Sequence, residues 1–521
     1  MAELAVSPAI SALDDAPVWP RRRWLFLRAA GVPVLGVWLI GLLAFSTLLY
    51  HRSFLGQDFG TYNQAWTLIG TGHLNPYDTI NVASPFLKSD FELVMWPLAL
   101  IHLVFPQPVA LVWVQDLGVA ASGLVAYLWT LEYLEQRRVA WWPAAGVALA
   151  VLAATVANPG VYQTLLFDVH MEPVSTVFVL LAGRDLWRGR HRRAWIWLGI
   201  ALLFGSFAAV TVVGLGLSAL LAGRDTRRSG ALFVVAGVAW LGLISVLGAN
   251  VGSAIGNYAY LAGRSALPGT AGAVVIIAGI LTHPVRAIDQ IHARIHYVYL
   301  LVKPVGVVGL ACAWGFGVPF VVLTTNALNS SSQFIFQAFQ NSAVFPFVLL
   351  GTVMVLVWLT QRFRFGWVPA VVIAVAVTVQ ALSYGVATSP GNVRWAVSQV
   401  GSGPGAQLRK ALVLTPPAAE AIVTFRVMGR FSARPFVYMF SSGAPIPVQS
   451  RVVVFVFYPA TDGSISNPQL AYDMAISYVR DRLHARTLVE ADGIWAFEWH
   501  PPKGATHVTL PAPPVLSRTL Q

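Results

Sequence analysis

The sequence has few charged residues for its length and almost no cysteine. Of its 521 residues, 11% are charged and 56% are hydrophobic, which leaves too little polar surface to cover a soluble globule of this size. The single cysteine, Cys312, excludes an internal disulfide and a thiolate metal site. The composition therefore predicts a chain that folds in a lipid bilayer.

Sequence motifs of the common catalytic, phosphate-binding and metal-binding sites are also missing. The chain contains no phosphate-binding glycine loop, no zinc signature and no Ser-His-Asp order that can be read from its sequence. Any site must therefore be built from residues that are dispersed along the chain.

Positive charge exceeds negative charge, with a net charge of +12. The arginines form short clusters between apolar runs, such as Arg21 to Arg23 and the group from Arg184 to Arg193, rather than one basic face. This pattern is typical of the cytoplasmic loops of membrane proteins and does not favour nucleic-acid binding. It predicts a multi-pass protein of the bacterial cytoplasmic membrane with its N-terminus inside and its C-terminal domain outside.

The apolar runs predict a mainly α-helical fold, a polytopic transmembrane bundle of about eleven spans with outer interfacial helices. A small extracytoplasmic α/β domain is expected to follow it. The predicted boundaries are a cytoplasmic tail over 1–28, the bundle over 29–386 with an outer loop at 51–92, and the C-terminal domain over 387–521.

Several segments depart from the pattern of a simple span. Leu93 to Phe105 is too short to cross and is expected to be interfacial or re-entrant, and Ala194 to Leu221 is expected to form two short helices that turn near Gly205 and Ser206. Val305 to Thr325 is expected to form another short re-entrant pair, and Trp367 to Leu382 to cross outward.

The C-terminal region changes in composition, with frequent proline and glycine and regularly spaced charges. Arg451 to Tyr458 has the pattern of a strand, and Gln469 to Arg486 that of a helix. Because this region has few apolar periods of its own, it is expected to dock on the membrane body.

Three polar groups interrupt the apolar runs and are candidates for chemistry. The first contains Asp58, Tyr62 and Gln64 just after the first span. A carboxylate at that depth is costly unless it is paired or used, although Asp58 could equally cap a helix.

The second polar group contains Asp90 and Glu92, and the third contains Asp168, His170 and Glu172. The second pair could bind a divalent cation or face water. The third group alternates, so its side chains share one side if the segment is extended and separate if it is helical. An interhelical turn is an equal alternative for it.

The order and spacing of these groups resemble a bacterial family of predicted membrane proteins of unknown function, DUF2079. The resemblance covers most of the chain, and its landmarks are Asp58 to Gln64, Phe91 through Pro108 to Gln115, Phe167 to Glu172, Leu414 to Pro417, and Ala491 to Trp495. The layout of that family is in turn similar to membrane glycosyltransferases of the GT-C type.

The resemblance implies transfer of a sugar from a polyprenyl-phosphate-linked donor to an extracytoplasmic acceptor. It makes Asp58 the candidate base toward the acceptor hydroxyl, and Glu92 a candidate ligand for Mg²⁺ or Mn²⁺. The residues implied to bind substrate are Tyr62, Gln64, Asp90, Asp168, His170 and Glu172. Asp58, Glu92 and Asp168 are then expected to converge in one pocket.

The sequence also departs from the family pattern. Asp90 stands where a histidine is usual, Gly205 to Phe207 where a Lys-Glu-Asp-like group is usual, and Phe336 to Gln340 lacks the usual histidine and tyrosine. These departures keep a non-catalytic alternative open, in which the protein binds or moves a lipid-linked substrate or scaffolds a membrane complex partner. An ion-coupled transporter using Asp116 is the third hypothesis.

Overall fold

The protein is mainly α-helical in the computed structural model, which describes residues 19–51, 55–80, 84–158, 168–247, 256–263, 269–330, 338–362, 403–441, 443–459 and 468–511. Its helices are α1 (Arg21–His51), α2 (Gln57–Gly70), α3 (Phe86–Ser89), α4 (Met95–His102), α5 (Val109–Gln136), α6 (Trp141–Val156), α7 (Glu172–Trp187), α8 (His191–Leu202), α9 (Ser206–Ala222), α10 (Arg224–Val246), α11 (Gly269–Thr282), α12 (Pro284–Ala293), α13 (Ile295–Val302), α14 (Ala313–Leu328), α15 (Val344–Arg362), α16 (Gly403–Leu414), α17 (Met428–Phe431) and α18 (Pro468–Ser477).

The chain divides into two compact units. The first, called here the helical unit, comprises Met1–Ala44, Asp90–Leu93 and Trp113–Asn392. The second, the mixed unit, comprises Phe45–Ser89, Val94–Val112 and Val393–Gln521. The predicted domain boundary at residue 387 lies outside the described residues, so the predicted boundaries stay predictions.

Several helices have the length and composition of membrane spans. Arg21–Leu48, Val109–Gln136, Arg224–Val246 and Val344–Arg362 pass this test, and the pair Val274–Thr282 and Pro284–Ala293, bent by 90°, could form a fifth span. Four further apolar helices are shorter, among them Trp141–Val156 and Ser206–Ala222. The predicted span Trp367 to Leu382 lies outside the described residues, so the count of about eleven stays a prediction.

The predicted break near Gly205 is confirmed. Helix α8 ends at Leu202 and α9 begins at Ser206, while Gly205 has a φ of +88°, in the left-handed region that glycine adopts without strain. The region from Val305 to Thr325 differs from the predicted re-entrant pair. There, 3₁₀ turns at Lys303–Val305 and Val307–Ala311 precede the single helix α14.

The core of the helical unit is centred on Trp129 of α5. Its indole ring is fully buried and contacts Trp187 of α7, Trp314 of α14 and Phe347 of α15, with centroid distances of 6.1, 5.6 and 6.4 Å. Such edge contacts between aromatic rings stabilise helix packing beyond burial alone. Four helices are therefore fixed around one side chain.

The mixed unit contains a five-stranded sheet of order β4-β3-β6-β8-β7. The strands of the chain are β1 (Tyr77–Asp78), β2 (Ser84–Pro85), β3 (Glu420–Val423), β4 (Val437–Met439), β5 (Pro445–Pro447), β6 (Val453–Phe457), β7 (Arg486–Ala491), β8 (Ile494–Trp499) and β9 (His507–Thr509). Strand β3 runs parallel to β4 and β6, whereas β8 runs antiparallel to β6 and β7. The predicted strand over Arg451 to Tyr458 is confirmed by β6, all five residues of which are buried.

Both faces of this sheet are covered by apolar side chains. On one face, Phe455 and Phe457 of β6 pack with Tyr472 of α18, and on the other, Val454 and Val456 belong to a cluster with Leu408, Met428 and Ile80. Strand residues alternate between faces, so one strand supplies both clusters. Ile80 follows strand β1, so the segment after the first long helix completes the core of the C-terminal sheet.

Candidate functional site

The polar group at Asp168, His170 and Glu172 lies in the helical unit, where it precedes α7. Residues 168–170 are not helical and α7 begins at Glu172, so His170 and Glu172 come together: Nδ1 of His170 lies 3.7 Å from Oε2 of Glu172. The backbone N–H of His170 donates to Oε1 of Gln115 at 2.7 Å. Asp168 accepts a long hydrogen bond of 3.3 Å from the backbone N–H of Val169.

The position of Glu172 has an electrostatic reason. A carboxylate in the first turn of a helix faces the positive end of the helix dipole, and the ring of Pro173 fits the position where no backbone donor is needed. The hydroxyls of Ser175 and Thr176 donate to the carbonyl oxygen of Glu172 at 2.8 and 3.0 Å. The helix start is therefore held by its own side chains.

Two cavities of different polarity adjoin this helix start. The polar cavity is lined by Glu172, Thr176, Thr211, Asn326, Gln340 and Ser342, among others. The apolar cavity is lined by Val119, Ser122, Thr155, Phe345, Pro346 and Leu349, among others.

The two cavities share Thr176 and Ser342, which contribute to the lining of both. The hydroxyls of these two residues lie 3.2 Å apart, within hydrogen-bond distance. In the polar cavity, Nδ2 of Asn326 donates to Oδ1 of Asn341 at 3.1 Å, and Nδ2 of Asn341 donates to the Tyr297 hydroxyl at 2.9 Å. Glu172 thus shares the lining of the polar cavity with neutral hydrogen-bonding side chains.

Asp90 and Glu92 also belong to the helical unit. The backbone N–H of Glu92 donates to the carbonyl of Asp90 at 3.0 Å, and the Glu92 side chain is buried. A Cβ added at Gly205 would lie 3.0 Å from the carbonyl oxygen of Phe91 and 3.2 Å from Cγ of Glu92. The turn between α8 and α9 therefore packs closely on Phe91 and Glu92, and glycine is required there.

Asp58, Tyr62 and Gln64 lie on α2 in the mixed unit. Asp58 is in the first turn of that helix, where a carboxylate interacts favourably with the helix dipole, while Tyr62 and Gln64 are buried. The amide Nε2 of Gln64 donates to Oγ1 of Thr79 at 2.8 Å and to the carbonyl of Pro435 at 3.0 Å, and its Oε1 accepts from the Thr79 backbone at 3.1 Å. These contacts tie α2 to the start of β4.

Two arginines, Arg430 in α17 and Arg434 shortly after it, were not predicted as part of any site. Arg430 donates to the backbone carbonyl of Tyr50 at 2.8 Å, and its guanidinium carbon lies 4.7 Å from the centroid of the Tyr50 ring. Burial lowers the pKa of Arg430. Burial lowers the pKa of Arg434 to about 10, and this side chain donates to the carbonyls of Phe431 and Ala419. Because guanidinium groups stay protonated in proteins, the mixed unit holds one buried cation, Arg434, and one half-buried cation, Arg430.

The sequence signal for other lining residues was weak. Thr176, Asn326 and Ser342 are neutral residues within apolar stretches and are separated by up to 166 positions along the chain, so spacing could not associate them. The predicted convergence of Asp58, Glu92 and Asp168 stays a prediction, since Asp58 is described within the mixed unit and the other two within the helical unit.

Glu92 is the predicted ligand for Mg²⁺ or Mn²⁺. Within the described ranges, no group of three or more His, Cys, Asp or Glu side chains is gathered closely enough to hold a metal ion. Mg²⁺ is commonly held by one or two carboxylates together with substrate phosphates, so Glu92 as a ligand for Mg²⁺ or Mn²⁺ stays a prediction.

Comparison with solved structures gives distant similarities. ArnT from Cupriavidus metallidurans, bound to undecaprenyl phosphate, is 12% identical, with 92% of this chain and 98% of ArnT covered and a TM-score of 0.46. The apo state of that protein is also 12% identical and gives 89% and 98% coverage and a TM-score of 0.44. The Archaeoglobus fulgidus oligosaccharyltransferase in complex with Zn and sulfate is 13% identical, with 77% and 62% coverage and a TM-score of 0.36.

Comparison with protein families gives a more extensive match. No curated protein matches the chain. The model of the family described as predicted membrane protein (DUF2079) matches residues 51–442, which include all the predicted site residues from Asp58 to Glu172 and the first strands of the C-terminal sheet. Because this match covers well over half of the sequence, the chain belongs to the DUF2079 family of predicted membrane proteins.

Proposed function

We propose that this membrane protein transfers a sugar from a polyprenyl-phosphate-linked donor to an extracytoplasmic acceptor. The observation that carries the proposal is the pair of neighbouring cavities in the helical unit, one apolar and one polar, which share Thr176 and Ser342 in their linings. A lipid-linked sugar has the same division, with an apolar chain at one end and a polar phosphate and sugar at the other.

The apolar cavity suits the chain of such a donor. Each methylene group that moves from water into an apolar site contributes about 0.8 kcal/mol, so even a short stretch of chain supplies useful affinity. The polar cavity suits the sugar, because Thr176, Asn326 and Ser342 offer neutral donors and acceptors for hydroxyl groups. Asp90, Asp168, His170 and Glu172 stay proposed as substrate-binding residues, together with Tyr62 and Gln64 on α2.

The proposed reaction forms one bond and breaks one bond. The acceptor oxygen attacks the anomeric carbon, the bond from that carbon to the phosphate oxygen breaks, and polyprenyl phosphate leaves with the electron pair. The carboxylate of Asp58 accepts the proton of the acceptor hydroxyl, which is the role of a general base. Pairing with Glu172 would orient the His170 ring beside the polar cavity. No step is assigned to a metal.

Orientation is proposed from the arginine clusters. They favour an N-terminus inside the bacterial cytoplasmic membrane, a bundle of about eleven spans and a C-terminal α/β domain outside. A reporter fused after Arg193 is therefore expected to read cytoplasmic, and one fused after the last residue is expected to read extracytoplasmic. Opposite readings from the two fusions would contradict the topology.

A non-catalytic function is the second candidate, in which the same cavities bind or move a lipid-linked substrate or serve a membrane complex partner. The observation that favours it is Gly205, where any side chain would press on Phe91 and Glu92. The resemblance to the DUF2079 pattern implies a Lys-Glu-Asp-like group where Gly205 to Phe207 stands, and these three residues carry no charge that could act on the donor phosphate.

Filling the apolar cavity tests the proposed donor site. Ser122 lines it, and its hydroxyl has no hydrogen-bond partner among the described residues. Ser122→Phe places an aromatic ring where the chain would lie and is expected to weaken binding of a labelled polyprenyl phosphate by about tenfold or more, equivalent to losing two or more buried methylenes. Binding is measured in nanodiscs, in parallel with sugar transfer with and without a chelator.

Ser122→Ala is the matched control, because it removes the hydroxyl and leaves the cavity open. It should bind the lipid as the wild type does. Equal binding by Ser122→Phe, in protein with unchanged thermal stability, would contradict the donor site. Binding without transfer by the wild type would favour the non-catalytic function.

A further inference from the structure

Three arginines converge on one buried carboxylate in the helical unit, and none of these four residues is among those named for the proposed donor site. Glu132, near the end of α5, is 6% exposed. Its Oε1 lies 2.8 Å from Nη2 of Arg28 on α1 and 2.9 Å from Nη2 of Arg188, which follows α7. Arg184 of α7 forms the third ion pair and also donates from Nε to Oε2 at 2.8 Å.

This cluster, called here the Arg28–Glu132 cluster, carries excess positive charge. Glu132 offsets one of the three guanidinium charges. Glu135, one helical turn further on, adds a second negative charge, and one of its oxygens accepts a hydrogen bond from the Trp24 indole. Three cations and two anions leave a net positive charge among side chains that are only partly accessible to water.

The arginines also retain unused hydrogen-bond donors. A guanidinium has five N–H groups, and Arg28 and Arg188 each direct one nitrogen at Glu132. Nε of Arg28 is buried and has no hydrogen-bond partner among the described residues. Side-chain exposures of 29% for Arg28 and 25% for Arg188 leave both heads reachable from outside the protein.

We propose that the Arg28–Glu132 cluster binds the phosphate of an anionic phospholipid headgroup. A phosphate oxygen would supply the missing negative charge and accept from the unused guanidinium donors. The proposal does not depend on the proposed sugar transfer.

A lipid is the source of phosphate that the surroundings favour. Arg28 and Glu132 lie within eight residues of the ends of Arg21–Leu48 and Val109–Gln136, two helices with the composition of membrane spans. Tryptophan is also concentrated here: Trp24 lies under Arg28 at 3.2 Å, and Trp141 lies under Arg23 at 5.0 Å. Basic residues between helices at the membrane interface, accompanied by indole rings, are the usual surroundings of bound headgroups.

An arginine substitution that spares the fold provides the test. Arg188→Gln removes one guanidinium but leaves Arg28 and Arg184 to neutralise Glu132. The matched control is Arg192→Gln, which removes the same charge from an exposed position in the next helix that forms no ion pair with the cluster among the described residues.

The full-length protein is purified from membranes that contain phosphatidylglycerol and phosphatidylcholine, and retained lipids are counted by native mass spectrometry. The wild type and Arg192→Gln are expected to retain phosphatidylglycerol, whereas Arg188→Gln retains about fivefold less. When phosphatidylglycerol is added to phosphatidylcholine nanodiscs, the thermal midpoint should rise for the wild type and for Arg192→Gln but not for Arg188→Gln.

Three results would overturn the proposal. Equal retention by all three proteins would show that the cluster is not a headgroup site. An equal loss in both variants would indicate general attraction by the arginine-rich surface. If inorganic phosphate raised the thermal midpoint in phosphatidylcholine nanodiscs as much as phosphatidylglycerol does, the ligand would be a soluble phosphate and not a lipid.

Discussion

Asp58→Asn is expected to lower sugar transfer by about a hundredfold to ten-thousandfold, the usual contribution of a positioned general base. Asparagine has nearly the size of aspartate and keeps one acceptor oxygen, but it cannot take the proton of the acceptor hydroxyl. Asp58 lies in the first turn of α2, and the neighbouring Gly60 packs against Ile80 and Met428, so the helix has independent anchors. Folding and donor binding should therefore survive.

The control is the same chemical change elsewhere in this segment. Asp78 is buried, and its Oδ1 accepts a hydrogen bond of 2.9 Å from the backbone N–H of Ile80. Asp78→Asn retains that oxygen and is expected to keep most of the transfer activity. Transfer is measured with labelled polyprenyl-phosphate sugar in membranes at matched expression. Full activity of Asp58→Asn would exclude Asp58 as the base.

Local features of the fold could be predicted from the sequence where a single residue or a short run determines them. Gly205 marks the break between α8 and α9, because its positive φ needs glycine. The apolar run in Arg451 to Tyr458 predicts β6, since a strand that is covered on both faces has no polar alternation. Leu93 to Phe105 is too short for a span, and α4 covers only Met95–His102 of it, while its interfacial or re-entrant placement stays a prediction.

Features that depend on distant partners could not be predicted. The sheet core includes Ile80, more than 300 positions before the strands that it packs with, and no periodicity in the sequence connects them. The hydrogen bonds from Gln64 to Thr79 and Pro435 could not be predicted either, because Pro435 is distant in the sequence and Thr79 carries no local signal for the contact. The proximity of His170 and Glu172 could be predicted only in part, because alternation places two side chains on one side only if the segment is extended.

The arginine clusters illustrate a related limit. In the sequence, the clusters predict cytoplasmic loops, and this prediction treats each arginine as a solvated charge. The structure instead brings Arg28, Arg184 and Arg188 from segments up to 160 positions apart to Glu132. Glu132, which pairs with all three arginines, lies near the end of α5. Nothing in the local sequence distinguishes it from Glu135, three residues later.

Glu132→Ala is expected to destabilise the helical unit by about 3–5 kcal/mol, the usual effect of removing one partner from a buried ion pair. Without the carboxylate, three guanidinium groups stay close together with no shared counter-charge, and α1, α5 and α7 lose the group that joins them. The measurement is the thermal midpoint of the full-length protein in phosphatidylcholine nanodiscs, so that no anionic headgroup replaces the lost charge.

The matched control is Asp225→Ala. Asp225 is an exposed carboxylate in the first turn of α10, also among arginines, and its removal should change stability by no more than about 0.5 kcal/mol. A second substitution separates repulsion from lost packing: Arg184→Ala in the Glu132→Ala background removes the most buried of the three cations and should recover part of the lost stability. If Glu132→Ala melted with the control, or if the double variant were less stable than Glu132→Ala, the carboxylate would not be what holds these three helices together.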